Sequence, residues 1–240
     1  MIYITGDTHG ELRAILSERQ KPDGTGWTHE DKEIICGDFG FVMRADRLEN
    51  GCYADEWKLN ELEGCPQEIL FVSGNHENFD RLYAYPDEER YGGLVKRIRK
   101  NIFLLKRGEI YTIEGKTFFT FGGAYSIDRS LRVERVSWWP QELPSPQEYR
   151  HAIDRLEKYH KCVDYILTHN APDRVVMQII PQADRHDAEL TGFLDWVMTE
   201  VTFQQWFFGH WHIDKSFYDG KMVACYEQVH RLAAEIHFPC

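Results

Sequence analysis

Five short apolar runs in this chain each lead into a small polar turn rich in metal-ligating residue types. Residues 2–5 lead into Gly6-Asp7-Thr8-His9, residues 33–36 into Gly37-Asp38, and residues 68–72 into Gly74-Asn75-His76-Glu77. Residues 163–167 lead into Thr168-His169, and residues 204–208 into Gly209-His210-Trp211-His212. Apolar runs of this length, bounded by turn residues, read as buried strands. In α/β proteins the loops beyond the carboxyl ends of strands bind ligands, so five such loops can converge on one point. Glycine ahead of the polar residue lets the backbone turn sharply and approach closely.

The rest of the pattern fits the same frame. Helices are predicted over 11–19, 54–62, 78–84, 146–160 and 188–200, the fourth with Pro146 at its start. Further strands are predicted over 102–105, 110–113 and 116–121, with Glu114-Gly115 as a tight turn between the last two. Residues 215–218 and 222–226 flank Asp219-Gly220, a second hairpin signal. Strands alternating with helices, then hairpins, imply a layered α/β protein with a mixed sheet or two packed sheets. Residues 128–146 differ: they carry Arg129, Arg132, Arg135, Trp138, Trp139 and three prolines, and read as a long ordered loop or cap.

Composition narrows the function. At 240 residues the chain fits one large domain, or a domain with a small cap. No apolar run is long enough to cross a bilayer. The opening Met-Ile-Tyr-Ile-Thr-Gly-Asp has no basic region and no small-residue cleavage site, so a cytoplasmic location is expected. Six cysteines form no Cys-x-x-Cys pair, which argues against a thiolate zinc knuckle; most are expected reduced and buried. A formal net charge of −11 argues against binding long nucleic acid. It leaves a nucleotide substrate open, because bound cations dominate the local field of a metal site.

The turn residues have the chemistry of a transition-metal site, with hard oxygen from Asp and imidazole nitrogen from His. In extended backbone, residues i and i+2 face the same side, so Asp7 with His9, and His210 with His212, can address one cluster. Asn75 offers a neutral carbonyl, and the two oxygens of Asp38 can bridge two ions.

Taken in order, Asp-x-His, Gly-Asp, Gly-Asn-His-Glu, His and Gly-His-x-His resemble the calcineurin-like metallophosphoesterase superfamily. The resemblance runs from residue 5 to residue 212. It implies a four-layer α/β/β/α sandwich with two mixed β-sheets, formed by residues 1–240 as a single domain with a cap or loop insertion around 126–146. It also implies that Asp7, His9 and His212 hold one metal, that Asn75, His169 and His210 hold the other, and that Asp38 bridges them. His76 would contact the phosphate and help protonate the leaving group. The implied activity is hydrolysis of a phosphomonoester or phosphodiester by a water activated between two metal ions. Manganese is favoured, with iron, zinc, nickel or cobalt also suited to this donor set.

The sequence departs from one branch of that superfamily. Its protein Ser/Thr phosphatases read Gly-Asp-x-Val-Asp-Arg-Gly, whereas Phe41 and Val42 stand here where the Asp and Arg would be. Asp80, four residues after His76, could orient that histidine instead. Arg44, Arg47, Arg129, Arg132 or Arg135 could supply the phosphate-gripping cation; Arg44, Arg129 and Arg132 are the substrate-binding candidates. Trp138-Trp139 could stack on an aromatic leaving group, but a hydrophobic latch for the cap is the preferred reading. Glu77 could hydrogen-bond behind a ligand, or form a surface salt bridge. His29, His151, His160, His230 and His237 read as surface or packing residues, and His186 lies in a polar loop, 181–187, that could border the site. The expected partner is a phosphorylated small molecule or a nucleotide, without membrane or long nucleic acid. The alternatives are a protein phosphatase and a non-catalytic metal-binding scaffold.

Overall fold

The computed structural model describes residues 1–181 and 186–232. Its centre is two sheets packed face to face. The first contains β1 (Ile2–Thr5), β2 (Lys32–Ile35), β3 (Glu68–Val72), β4 (Asp87–Arg90), β5 (Gly93–Arg99), β6 (Ile102–Leu105) and, at the end of the described chain, a short strand at His230–Arg231. Its order is His230–Arg231, β1, β2, β3, β6, β5, β4. The second contains β7 (Ile110–Ile113), β8 (Lys116–Phe121), β9 (Tyr165–Thr168), β10 (Gln205–Phe208), β11 (Lys215–Phe217) and β12 (Met222–Ala224), ordered β11, β12, β10, β9, β8, β7. Both sheets are mixed: β1, β2, β3 and β6 are parallel neighbours, as are β8, β9, β10 and β12, and the edges are antiparallel.

Strand periodicity explains the layering. On β3, Leu70 and Val72 face the second sheet, while Ile69 and Phe71 face outward into another buried cluster. On β10, Phe207 faces the first sheet, while Trp206 and Phe208 face the opposite layer. Successive side chains point to opposite faces, and here both faces are buried, so the strands read as unbroken apolar runs. Helices α1 (Glu56–Glu63) and α2 (Phe79–Ala84) cover the first sheet through Leu59, Leu62, Phe79 and Leu82. Helices α3 (Pro146–Lys158), α4 (Asp173–Ile179) and α5 (Ala188–Glu200) cover the second through Ala152, Leu156, Val175, Leu190 and Leu194. This is the expected four-layer sandwich, and each fully buried Leu or Phe contributes about 1.5–3 kcal/mol to it.

Several local expectations change. The helix expected over 11–19 is one π-helical turn at Ala14–Glu18, and β9 begins at Tyr165 rather than at 163. The hairpin of β4 and β5, the helix α4 and the His230–Arg231 strand were not anticipated. β4 reads Asp-Glu-Glu-Arg and is half exposed at the sheet edge, so it carries no apolar signal. Such charged edges resist pairing with other chains. Its turn, Tyr91-Gly92, has φ of 56° and 79°, the left-handed pair of a two-residue hairpin. The anticipated turn at Glu114-Gly115 forms the same way, with φ of 50° and 73°.

Cys36 and Cys225 are buried free thiols, Cys65 is a partly buried one, and Cys52 is free but exposed. Cys162 is disulfide-bonded. Cys240 and His237 lie outside the described residues, as do positions 182–185 of the 181–187 loop. Among the described residues, no helix is long and apolar enough to cross a membrane.

Candidate metal centre

The parallel strands of both sheets point their carboxyl ends the same way, which brings the five turns together. Asp7 follows β1, Asp38 follows β2, and Asn75 and His76 follow β3; His169 follows β9, and His210 and His212 follow β10. Two glycines show how tight the convergence is. A Cβ on Gly74 would lie 2.0 Å from Asp38 Oδ1, and one on Gly209 would lie 2.2 Å from Asp7 Oδ1. Only glycine lets these backbones approach the carboxylates.

Four of the site residues pay for their placement in backbone strain. His9, Asp38, His210 and His212 have φ of 48°, 46°, 69° and 50°, in the left-handed region. Each costs roughly 1–2 kcal/mol. Strain of this kind clusters where a side chain must be aimed at a ligand.

The donor atoms gather closely. His9 Nε2 lies 2.8 Å from His212 Nε2, and His212 Nε2 lies 3.2 Å from Asp7 Oδ2. His169 Nε2 lies 3.0 Å from Asn75 Oδ1 and 3.5 Å from Asp38 Oδ1. His9 Nδ1 is 3.8 Å from Asp38 Oδ2, and His76 Nε2 is 4.0 Å from the same oxygen. The groups Asp7–His9–His212, Asp7–Asp38–His169 and His9–Asp38–His76 each offer three donor atoms within 4.8 Å of one another. His210 packs its ring against His169 at 5.0 Å, and its backbone N–H donates to Asp7 Oδ1 at 3.0 Å.

Protonation states favour cation binding. Burial and the neighbouring His169 push the His210 imidazole down to about 3, so its ring is neutral near pH 7. Burial raises the Asp38 carboxyl, but His169, His76 and His9 outweigh it and hold the group at about 2. The buried pair His169 and Asn75 is the most telling. His169 Nδ1 faces the Cys36 carbonyl at 2.9 Å, so in the neutral ring a proton on Nδ1 donates to it and Nε2 is the acceptor. The Asn75 amide donates through Nδ2 to Ser126 Oγ at 3.0 Å, which turns Oδ1 toward that same Nε2. With that tautomer the two atoms present lone pairs to the same buried point, where a cation can bind both. The residues present fit a metal.

The segment between β8 and α3 reaches over this centre. Arg132 Nη2 lies 3.1 Å from His76 Nε2 and 3.2 Å from Nδ1. Near-equal distances place the guanidinium over the ring rather than on one nitrogen. Arg132 is itself held by Asp128 Oδ2 at 2.9 Å. Arg44 pairs with Asp46, Arg47 bonds Gly51 and Tyr53, and Arg129 pairs with Glu142. Asp80 accepts from Trp139 Nε1 at 3.0 Å and from Arg135 Nη1 at 2.8 Å, so it anchors the segment instead of orienting His76. Trp139 is fully buried beside Phe39, Phe41 and Phe79, as a latch would be. Trp138 stacks on the Arg129 guanidinium. Phe41 and Val42, at the positions of the missing Asp and Arg, are core residues.

Glu77 is fully buried, which excludes the surface salt bridge; its Oε1 accepts from Phe39 N at 2.8 Å and so braces the Asp38 turn. His29 bonds the Pro66 carbonyl, His151 pairs with Glu109, and His186 stacks on Tyr125 beside Ser126. Three contributors had no signal in the sequence. Arg19 is buried and donates to the carbonyls of Gly6 at 2.6 Å and Asp7 at 2.5 Å. Ser126 holds the Asn75 amide, and Tyr226 stacks on His212 at 4.8 Å. Each is an ordinary residue until the fold brings it to the turns.

Fold and donor set together are those of the metal-dependent phosphoesterases. Residues 1–214 match the calcineurin-like phosphoesterase family, and the chain belongs to it. That family is one of metal-dependent phosphoric ester hydrolases. No curated protein matches the chain in sequence. Among solved structures it is similar to a candidate 5′-nucleotidase from Staphylococcus aureus, crystallised with α-ketoglutarate, at 13% identity and a TM-score of 0.44. That similarity covers 95% of this chain and 49% of the other, so the chain spans about half that protein's length.

Proposed function

We propose that this protein hydrolyses a phosphorylated small molecule or nucleotide at a two-metal centre, within one domain whose segment 126–146 acts as a cap. Asp7, His9 and His212 would hold one ion and Asn75, His169 and His210 the other, with the Asp38 carboxylate serving the same centre. The convergence of the donor atoms, with His169 Nε2 and Asn75 Oδ1 3.0 Å apart and buried beside Asp38, carries this reading. When bound, the ions neutralise charge on the phosphoryl oxygens and acidify the attacking water. Manganese suits the mixed Asp, His and Asn set.

The chain's own residues supply the rest. Arg132 sits over His76 and offers its remaining N–H groups to phosphoryl oxygens entering beneath the cap. His76 gives its proton to the leaving oxygen, a contribution of typically 10²–10⁴-fold. The backbone N–H of His76 donates to Asp38 Oδ1 at 2.7 Å, which ties the acid's position to the bridging carboxylate. With Phe41 and Val42 packed in the core, Arg132 replaces the cation that protein phosphatases place on that turn. That difference, and the net charge of −11, favour a small substrate over a phosphoprotein or long nucleic acid.

The test is release of p-nitrophenol from p-nitrophenyl phosphate and from its phenyl phosphodiester, with and without added manganese. Metal-dependent turnover of either supports the reading. No metal-dependent turnover of these or a wider panel of phosphate esters would leave the scaffold alternative in its place.

A further inference from the structure

A cavity beside the 126–146 segment is lined by none of the proposed ligands. It has a volume of about 770 Å³ and sits between the ends of β5 and β6, the stretch from Pro140 to Ser145, and the first turns of α3. Its walls are mainly apolar, built by Tyr83, Leu94, Leu105, Leu143 and Pro144. Pockets of this size, apolar with a few polar groups, are the usual form of a small-molecule site.

Its charges are not balanced. Lys96 and Lys106 both line it, and both pair with one carboxylate: their Nζ atoms lie 3.3 and 3.0 Å from Asp87 Oδ1. Two ammonium groups sharing one carboxylate leave one positive charge in excess at the wall. The other ionised groups are matched, Arg107 facing Glu148, and Glu109 facing His151 and Arg155. A local surplus of positive charge is unexpected in a chain of net charge −11. Gln141 also lines the cavity.

We infer that this cavity binds an amphipathic organic monoanion: a carboxylic or sulfonic acid whose apolar body fills the leucine-lined space. Its acid group lies against Lys106, while the Lys96 ammonium, held by Asp87 and the carbonyls of Tyr83 and Tyr85, adds positive charge behind it. The site is separate from the phosphate ester's, although Ser73 forms a wall of the cavity two residues before Asn75.

The test uses 8-anilinonaphthalene-1-sulfonate, an aromatic monoanion, titrated by fluorescence and calorimetry against the folded protein. Wild type should bind it saturably with one-to-one stoichiometry. Leu143→Trp, which fills the cavity, should abolish binding. Lys106→Glu, a partly exposed change that spares the core, should weaken it about tenfold. Uncharged N-phenyl-1-naphthylamine should bind wild type more weakly than the sulfonate does. Asp38→Asn, which disables the metal centre, should leave binding unchanged. Absence of saturable binding to wild type would overturn the inference. So would unchanged affinity in both cavity variants at unaltered thermal stability, or loss of binding in Asp38→Asn alone.

Discussion

The indole Nε1–H of Trp139 donates to Asp80 Oδ2 at 3.0 Å. This bond joins a buried residue of the 126–146 segment to the first turn of α2, the helix that follows His76. It commits Asp80 to that segment, because its other oxygen accepts from Arg135 at 2.8 Å. Asp80→Ala leaves the buried indole unpaired, so stability should fall by about 1–3 kcal/mol. In Trp139→Phe the donor is already gone, and the same Asp80→Ala change should cost less. A double-mutant cycle in urea checks this, and strict additivity would show that the bond carries no energy.

Asp38 and His76 should separate cleanly on substitution. Asp38→Asn removes the charge proposed to meet both ions, so metal content by elemental analysis should fall at both positions. His76→Ala should keep its metals and lose roughly 10²–10⁴-fold in turnover of esters with poor leaving groups. An ester with a good leaving group needs less acid help and should suffer less. Equal loss on both esters would remove the acid role from His76.

Arg132 is the cation over His76, and its predicted task is gripping phosphate. Arg132→Ala should lower kcat/KM by roughly 10–100-fold, the worth of a charged hydrogen bond. Metal content should not change. Arg44→Ala and Arg129→Ala remove arginines paired with Asp46 and Glu142, and should leave KM near wild type. A KM effect from Arg44→Ala equal to that from Arg132→Ala would reverse the assignment.

Arg19 should matter to metal binding without touching a metal. It holds the carbonyls of Gly6 and Asp7 and the Thr5 hydroxyl from within the fold. Arg19→Met leaves those carbonyls unpaired and frees the Asp7 turn. The expectation is a loss of about 2–4 kcal/mol in stability and weaker metal affinity in calorimetry, both partly restored by Arg19→Lys.

Glu33 gives the pH dependence a definite sign. Burial pushes its carboxyl up to about 7 from an ordinary 4.5, against smaller opposing effects of the Gln67 hydrogen bond and Arg19. Between those values the folded chain keeps a proton that the unfolded chain releases. Stability therefore falls as pH rises from about 4.5 to about 7, and then levels off; the 2.5-unit gap corresponds to about 3 kcal/mol. Glu33→Gln should flatten that part of the urea-midpoint profile. A wild-type profile that rises across the same window, with no change in the variant, would contradict it.

The proposed ligands were legible in the sequence because each lies immediately after an apolar strand, and strand, glycine and polar residue are neighbours in the chain. The spans of β3, β6, β7, β8 and α5 were legible for the same reason, since their apolar periods are local. The tertiary structure decided which distant groups serve those turns. It placed Arg132 rather than Arg44 or Arg129 over His76, gave Asp80 to Trp139, and buried Glu77 behind the Asp38 turn. It also drew Arg19 inward, to carbonyls twelve and thirteen residues away in the chain, where an ordinary helix end was expected. Periodicity records which face of an element is buried. It does not record which cation or carboxylate, tens of residues away, will close the hydrogen bonds there, because that choice is made only when the sheets pack and water is excluded.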